Sequence, residues 1–136
     1  MPKPCAASRR LWTSASLSLL ERALPIPDPN MQVMGWEIKT RAARADQDTG
    51  SARRFIERAL ALVSQFDIPV VGWRVHSSAC DVCSDEGNYA GAEEHRARAR
   101  ELILRIADSF DPEEPLRQSF LAAPPVRRIF VQGACV

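Results

Sequence analysis

The period of its apolar residues limits this chain's fold more than any other feature. In block after block they recur every three or four positions, and each block closes on a short cluster of Gly, Pro, Asn or Asp. That spacing lays an apolar stripe along a helix and leaves its other faces polar. No stretch alternates apolar and polar residues between hairpin turns, so a sheet is not expected. Leu17, Leu20 and Leu24 form the first stripe, which Pro25 stops. "PIPDPN" then interrupts any helix, since each proline lacks a donor and restricts the residue before it. Asn30 is the expected cap of a helix over Met31–Ala45, with Met34, Ile38, Ala42 and Ala45 inward.

"DQDTGS" is a turn, and the next helix spans Ser51–Phe66 with Phe55, Ala59, Leu62, Val63 and Phe66 on its stripe. Asp67 is the expected cap of a helix over Ile68–Ser84, with Pro69 in the first turn, where a missing N–H costs little. Its stripe is Val71, Val75, Ala79 and Val82. After the break at "SDEGN", a helix over Asn88–Ser109 aligns Ala92, Ala99, Leu102, Ile103, Ile106 and Phe110. "DPEE" at Asp111–Glu114 reads as a helix start: an acidic cap, proline at the first position, Glu114 at the capping-box site. That short helix ends before "AAPP", and the apolar tail Val126–Val136 packs as a last turn or strand.

The blocks repeat. "ERAL" occurs at 21–24 and 57–60, an offset of 36, and Gly35-Trp36 returns as Gly72-Trp73, an offset of 37. Ala52, Arg58, Ala59, Leu62 and Val63 match Ala92, Arg98, Ala99, Leu102 and Ile103 at an offset of 40. The changing offset implies small insertions, mainly around "DEGNYAG". A helical hairpin cannot bury its stripe alone, and stacked neighbours supply the missing surface.

On these residues the chain resembles the tetratricopeptide repeat family. "GNYAGA" at Gly87–Ala92 matches the family's turn, and Ala99 its second alanine. Counting back, the family's large, small and aromatic positions fall on His76, Cys80 and Cys83. In the earlier unit they fall on Trp36, Thr40 and Ala43, followed by Ala52, Ile56 and Ala59. Histidine and cysteine in place of aromatics, Arg96 at another aromatic position, and the late Pro69 and Pro112 depart from the pattern. The segment from "AEEHRARAREL" to "PPVRRIF" is similar to the end of helical-repeat regions in large bacterial ATP-binding signalling proteins. That likeness implies that Leu116, Phe120 and Leu121 close the array. No "GxxxxGK[ST]" occurs, so a phosphate-cradling loop of that type is not built here.

Chemistry-bearing residues point in several directions. Cys80-x-x-Cys83 with His76 one turn earlier shares a helical face, and His95 could complete a soft four-ligand zinc site. The same positions are core-facing in the repeat, where cysteine acts as a small buried hydrophobe, and that is the expectation. A thioredoxin-type pair would follow a strand, which is absent from the pattern. His95 with Glu93 and Glu94, and Asp81 with Asp85 and Glu86, read as solvated helix-face and turn residues. Arg53, Arg54, Arg58, Arg96, Arg98, Arg100 and Arg105 interleave with acids and lack an aromatic stacking platform, so ion-paired faces are expected over phosphate binding. Trp36 and Trp73 are expected between hairpins rather than in a ligand groove.

Charge agrees: 18 basic and 17 acidic side chains leave +1, too little to steer the chain to nucleic acid or membrane. No apolar run nears the roughly 20 residues of a membrane span. Four cysteines are too few for a disulfide scaffold, which suggests a reducing cytoplasm, and the arginine and alanine content leans bacterial. Residues 1–20 contain no acid, two adjacent arginines and several serines, as a targeting segment would. Their apolar region is short and has no clear cleavage site, so a ragged tail leading into a helix is expected.

The fold expected is all-α, a right-handed α-α superhelix of antiparallel helical hairpins. Residues 1–13 form a tail, 14–30 a half repeat and Pro-rich linker, 31–66 the first repeat, 67–110 the second, and 111–136 a capping helix and tail. The function expected is a non-catalytic scaffold without cofactor. Its partner is a protein or peptide, or other domains of a parent protein, bound on a face drawn from Gln32, Glu37, Lys39, Arg41, Arg74, His76 and Ser77. The alternatives are a C-terminal regulatory piece of a multidomain ATP-dependent signalling enzyme or transcriptional regulator, and a small zinc protein.

Overall fold

A computed structural model describes residues 28–131 of the 136. Among them every regular element is a helix: α1 Pro29–Ala45, α2 Thr49–Gln65, α3 Pro69–Asp85, α4 Tyr89–Ala107, α5 Pro115–Ala122 and α6 Pro124–Val131. The Leu17–Leu24 stripe, the first "ERAL", Cys5 and Cys135 lie outside the described residues.

Caps set most boundaries. Asp28, not Asn30, caps α1: its Oδ1 accepts from the Asn30 N–H at 2.9 Å, with Pro29 in the first turn. Asp48 caps α2 by accepting from the Ser51 N–H, and Asn88 caps α4 by accepting from Gly91, both at 3.0 Å. Asp67 does not cap α3. That helix starts after Ile68 with no side-chain cap, and the Asp67 carboxylate takes two bonds from Arg105, at 2.7 and 2.6 Å. A bidentate guanidinium outcompetes a single backbone donor. The "DPEE" start also falls elsewhere. Asp111–Glu114 close a turn, and α5 begins at Pro115. Proline forces the residue before it into extended backbone, and Glu114 at ψ 128° cannot continue a helix begun at Pro112. Ala123, at ψ 132° ahead of Pro124, separates α5 from α6 for the same reason, so the described part of the tail is a helix.

Helices α1–α2 and α3–α4 pair as hairpins through one turn used twice. Asp48 N–H bonds to Ala43 O at 2.9 Å and Gln47 N–H to Arg44 O at 3.0 Å; Asn88 and Gly87 repeat this to Cys83 and Ser84 at 2.8 and 3.0 Å. This double closure needs one residue with positive φ, met by Gln47 at 59° and Gly87 at 76°. A Cβ on Gly87 would meet no atom within 4 Å, so the whole penalty lies in the backbone. Gln47→Gly is expected to stabilise, and Gly87→Ala to destabilise, by about 1 kcal/mol each, read as opposite shifts of the urea midpoint.

Three of the four bounds of the two hairpins share one spacing, and only the ends of the second helices, Gln65 and Ala107, differ from it. Pro29 and Pro69, Ala45 and Asp85, and Thr49 and Tyr89 are each 40 residues apart. No insertion separates the hairpins at "DEGNYAG", and the Gly-Trp recurrence joins positions that are not equivalent. The counterpart of Trp36 is His76. Gly72 has its own reason: a Cβ there would lie 3.2 Å from Leu102 and 3.5 Å from Val63, so it lets α3 approach α2 and α4 closely.

Burial corrects the expected stripe of α1. Met34 and Ile38 are 41% and 44% exposed, while Val33, Glu37, Lys39, Thr40 and Ala43 are buried. The polar members of that face find partners inside: Ser78 donates to Glu37 at 2.7 Å and Thr40 donates to Trp36 O at 2.8 Å. On α2, Ala52, Ile56 and Ala59 are buried and Phe55, Leu62 and Val63 half-buried, but Phe66 ends the helix exposed. All four expected stripe residues of α3 are buried, as are Ala92, Ala99, Leu102 and Ile103 of α4.

Two apolar clusters hold the helices together. The first joins Val33, Ala43, Ala52, Ile56 and Ala59 of hairpin α1–α2 to Val71, Val75, Ala79 and Val82 of α3. The second joins Trp73 to Ala99, Leu102 and Ile103 of α4 and to Val126 and Ile129 of α6. Closure therefore rests on α6, with Phe120 and Leu121 of α5 packed in part against the cluster. Leu116 is 59% exposed: with the helix starting at Pro115 it falls in the first turn, off the seam.

Candidate functional site

A groove of about 390 Å³ opens between α1, α3 and α6. Glu37 and Arg41 come from α1, Trp73, Arg74, Ser77, Ser78 and Asp81 from α3, and Pro124, Pro125 and Arg128 from α6. Its acids are already engaged. Buried Glu37 accepts from Ser78 and, at 2.9 Å, from Arg41 Nε. Asp81 accepts from Arg128 at 2.8 Å and from Arg44 at 3.4 Å, tying α6 and α1 to α3. Ser77 Oγ accepts from Arg128 at 3.3 Å. Arg41 and Arg74 are exposed, the latter with its guanidinium 5.0 Å from the Trp73 ring centroid. The groove thus has a hydrogen-bonded floor, an aromatic edge and an arginine rim.

Of the predicted partner face, Glu37, Arg41, Arg74 and Ser77 meet in this groove. Lys39 does not line it: its Nζ lies 4.6 Å from the Trp36 centroid and 5.4 Å from that of Phe55, against α2. His76 faces α4, and Gln32 is half-buried on α1. Ser78, Asp81 and the α6 residues were missed. Ser78 belongs to the inward face of α3, and α6 is brought over by apolar contacts with no local sequence signal.

The suspected zinc ligands separate into two groups. Cys80 and Cys83 are buried thiols whose sulfurs accept from Arg96 and Arg53, each at 3.7 Å. His76 and His95 instead face each other, Nδ1 to Nδ1, at 3.1 Å. Among the described residues no three His, Cys, Asp or Glu side chains converge as a metal site. Burial, and then the neighbouring His95 and Arg98, push His76 down to about 4 against the opposing pull of Glu101. Burial also lowers His95, with Arg53 adding to it and Glu94 opposing.

The remaining charges are distributed as pairs. Glu86 is held by Arg53, Asp85 by Arg44 at 2.7 Å, and Glu93 by Arg96 at 2.9 Å and Arg100 at 3.7 Å. Arg98 pairs with Glu101 at 2.7 Å, Arg54 bonds Ser51, and Arg58 stacks 4.8 Å from the Trp36 centroid. The arginines do not line up as one cationic stripe. Trp36 packs on Phe55 with centroids 5.9 Å apart, while Trp73 serves both the core and the groove edge. No described helix is long and apolar enough to cross a membrane.

No protein-family model matches the chain, and no curated protein or solved structure is a match for it.

Proposed function

We propose that this chain is a non-catalytic, tetratricopeptide-like module that binds a protein or peptide segment in the α1–α3–α6 groove, within a cytoplasm that keeps Cys80 and Cys83 reduced. Three observations support the repeat reading. The hairpins share a 40-residue spacing at three of their four paired helix bounds. Most positions the resemblance marks are buried, Thr40, Ala43, Ala52, Ile56 and Ala59 in one unit and Cys80, Cys83, Ala92 and Ala99 in the next, while the large positions Trp36 and His76 are half-buried. Helix α1 also packs against α3 as well as against α2, so first helices lie side by side. Continued along a chain, such stacking makes a superhelix with a concave face built from first helices.

The groove carries the functional part of the reading. Its arginine rim and the exposed Pro124 and Pro125 offer hydrogen bonds and an apolar surface to an extended segment. Selection from a displayed random-peptide library is the test. Peptides recovered on the wild-type chain are expected to bind Arg41→Ala/Arg74→Ala at least about tenfold more weakly, the loss of one or two charge-assisted bonds, with the unfolding midpoint unchanged. Equal affinity for both proteins sinks the groove assignment.

One observation favours a second reading, a regulatory part of a larger ATP-dependent signalling protein. Met31, Met34 and Ile38 fall on one helical stripe and are 51%, 41% and 44% exposed. Of their counterparts 40 residues later, Val71 and Ser78 are buried by the first hairpin and Arg74 stays exposed. A preceding helical hairpin would cover α1 in the same way.

A further inference from the structure

We infer that His76 and His95 form a proton-sharing clasp between α3 and α4 that opens in mild acid, so that the groove on α3 is gated by pH. The consequence at the groove rests on the function proposed above; the clasp itself does not.

The clasp occupies a defined place. Forty residues earlier the same two positions hold Trp36 and Phe55, whose rings are tilted 31° at 5.9 Å; the histidines are tilted 34° at 5.3 Å. The second hairpin thus has a titratable pair where the first has an inert aromatic contact. Its geometry is that of a hydrogen bond. The 5.3 Å centroid separation nearly equals the 3.1 Å N···N distance plus the two ring radii, so both nitrogens lie close to the line joining the rings. Of two neutral imidazoles, one Nδ1–H donates and the other Nδ1 accepts. The first proton added, on the donor ring's Nε2, leaves that bond in place; the second, on the accepting ring's Nδ1, puts two N–H groups into one gap and breaks it.

The surroundings resist that proton. From α4, Arg98 and Glu101 face His76 and Glu94 faces His95; from α2, Arg53 faces His95. Glu101 is engaged by Arg98, and Arg53 by Glu86 at the end of α3. Half-buried rings beside arginines stay neutral in the closed hairpin and protonate readily once it opens. The sign follows: both folded values lie below the ordinary value of 6.5, so the open state binds more protons. The contribution to stability is complete above pH 6.5 and is lost as pH falls toward 4. Trp73, Arg74 and Ser77 lie within a turn of His76 on α3, so loosening this helix disturbs the groove.

The chain has two histidines, and both are in this pair, so imidazole NMR signals report on nothing else. Urea unfolding from pH 7 to 4.5 is expected to show the unfolding constant rising about 50-fold more in wild type than in His76→Trp/His95→Phe, which installs the first hairpin's rings. Equal pH dependence in the two proteins overturns the clasp. Should the double variant fold poorly, wild-type imidazole titration decides: both rings titrating independently near 6.5 overturns it, and depressed, mutually coupled titrations support it. Gating is tested with the selected peptides, whose affinity should fall between pH 7 and 4 in wild type but not in the double variant. Peptides lost equally from both proteins overturn the gating and leave the clasp to the unfolding data.

Discussion

Trp73→Ala is expected to lower stability by about 3–5 kcal/mol, the cost of emptying a large aromatic site in a packed core. Trp73 is 4% exposed and contributes to the cluster that gathers Ala99, Leu102 and Ile103 of α4 with Val126 and Ile129 of α6. Phe120 of α5 meets its ring edge-on, at 6.4 Å and 79°. One side chain therefore seats both short helices. Neither is long enough to hold its own backbone bonds in water. Hydrogen exchange should speed up first across 115–131, and α1–α2 should keep protection nearest to wild type. A loss below about 1 kcal/mol would show that α5 and α6 are seated by something other than this ring.

Arg96 carries the second large effect, and it is a contrast between two substitutions. The residue is 1% exposed, with its guanidinium on Glu93 at 2.9 Å and on Cys80 Sγ at 3.7 Å. Its counterpart 40 residues earlier is Ile56, at 0% exposure. A charge therefore stands where the first hairpin has a branched hydrophobe. Arg96→Ala leaves a cavity and is expected to cost about 2–4 kcal/mol. Arg96→Ile fills the site as Ile56 does and removes a buried charge, so it is expected to stay within about 1 kcal/mol of wild type or to stabilise. Glu93 tolerates the loss because it is half exposed and keeps Arg100 nearby. Guanidinium chloride unfolding of the two variants checks the order. If Ile is as damaging as Ala, the two hairpins are not packed alike at this position.

Much of the local structure could be read in advance. The breaks at "DQDTGS" and "SDEGN" and the Pro69 start act within a few residues, so their effect appears in short stretches of chain, while the Asp28, Asp48 and Asn88 caps were placed by the structure. The inward face of α3 was legible because Val71, Val75, Ala79 and Val82 leave no competing stripe. On α1 two stripes compete. Met34 and Ile38 are the more apolar, yet the face with Glu37 and Thr40 is buried because Ser78 and the Trp36 carbonyl meet its polar atoms. Hydropathy alone ranks those faces the wrong way round.

The candidate site was less legible than the helices. Glu37, Arg41, Arg74 and Ser77 share a groove because α1 and α3 pack side by side, but α6 completes it through Val126 and Ile129. His76, Cys80 and Cys83 share helical spacing with zinc ligands, and spacing cannot tell which neighbours α4 and α2 bring. Arg96 and Arg53 meet the sulfurs, and His95 meets His76.

By itself the amino-acid order determined that the described chain is helical and where its main turns fall. Those properties depend on periodicity, prolines, glycines and caps acting over a turn or two. Tertiary packing decided which face of α1 is hidden, where the groove lies, and that two histidines share a hydrogen bond. Such outcomes depend on desolvation and pairing between groups from different helices, whose energies exist only once the helices are in contact.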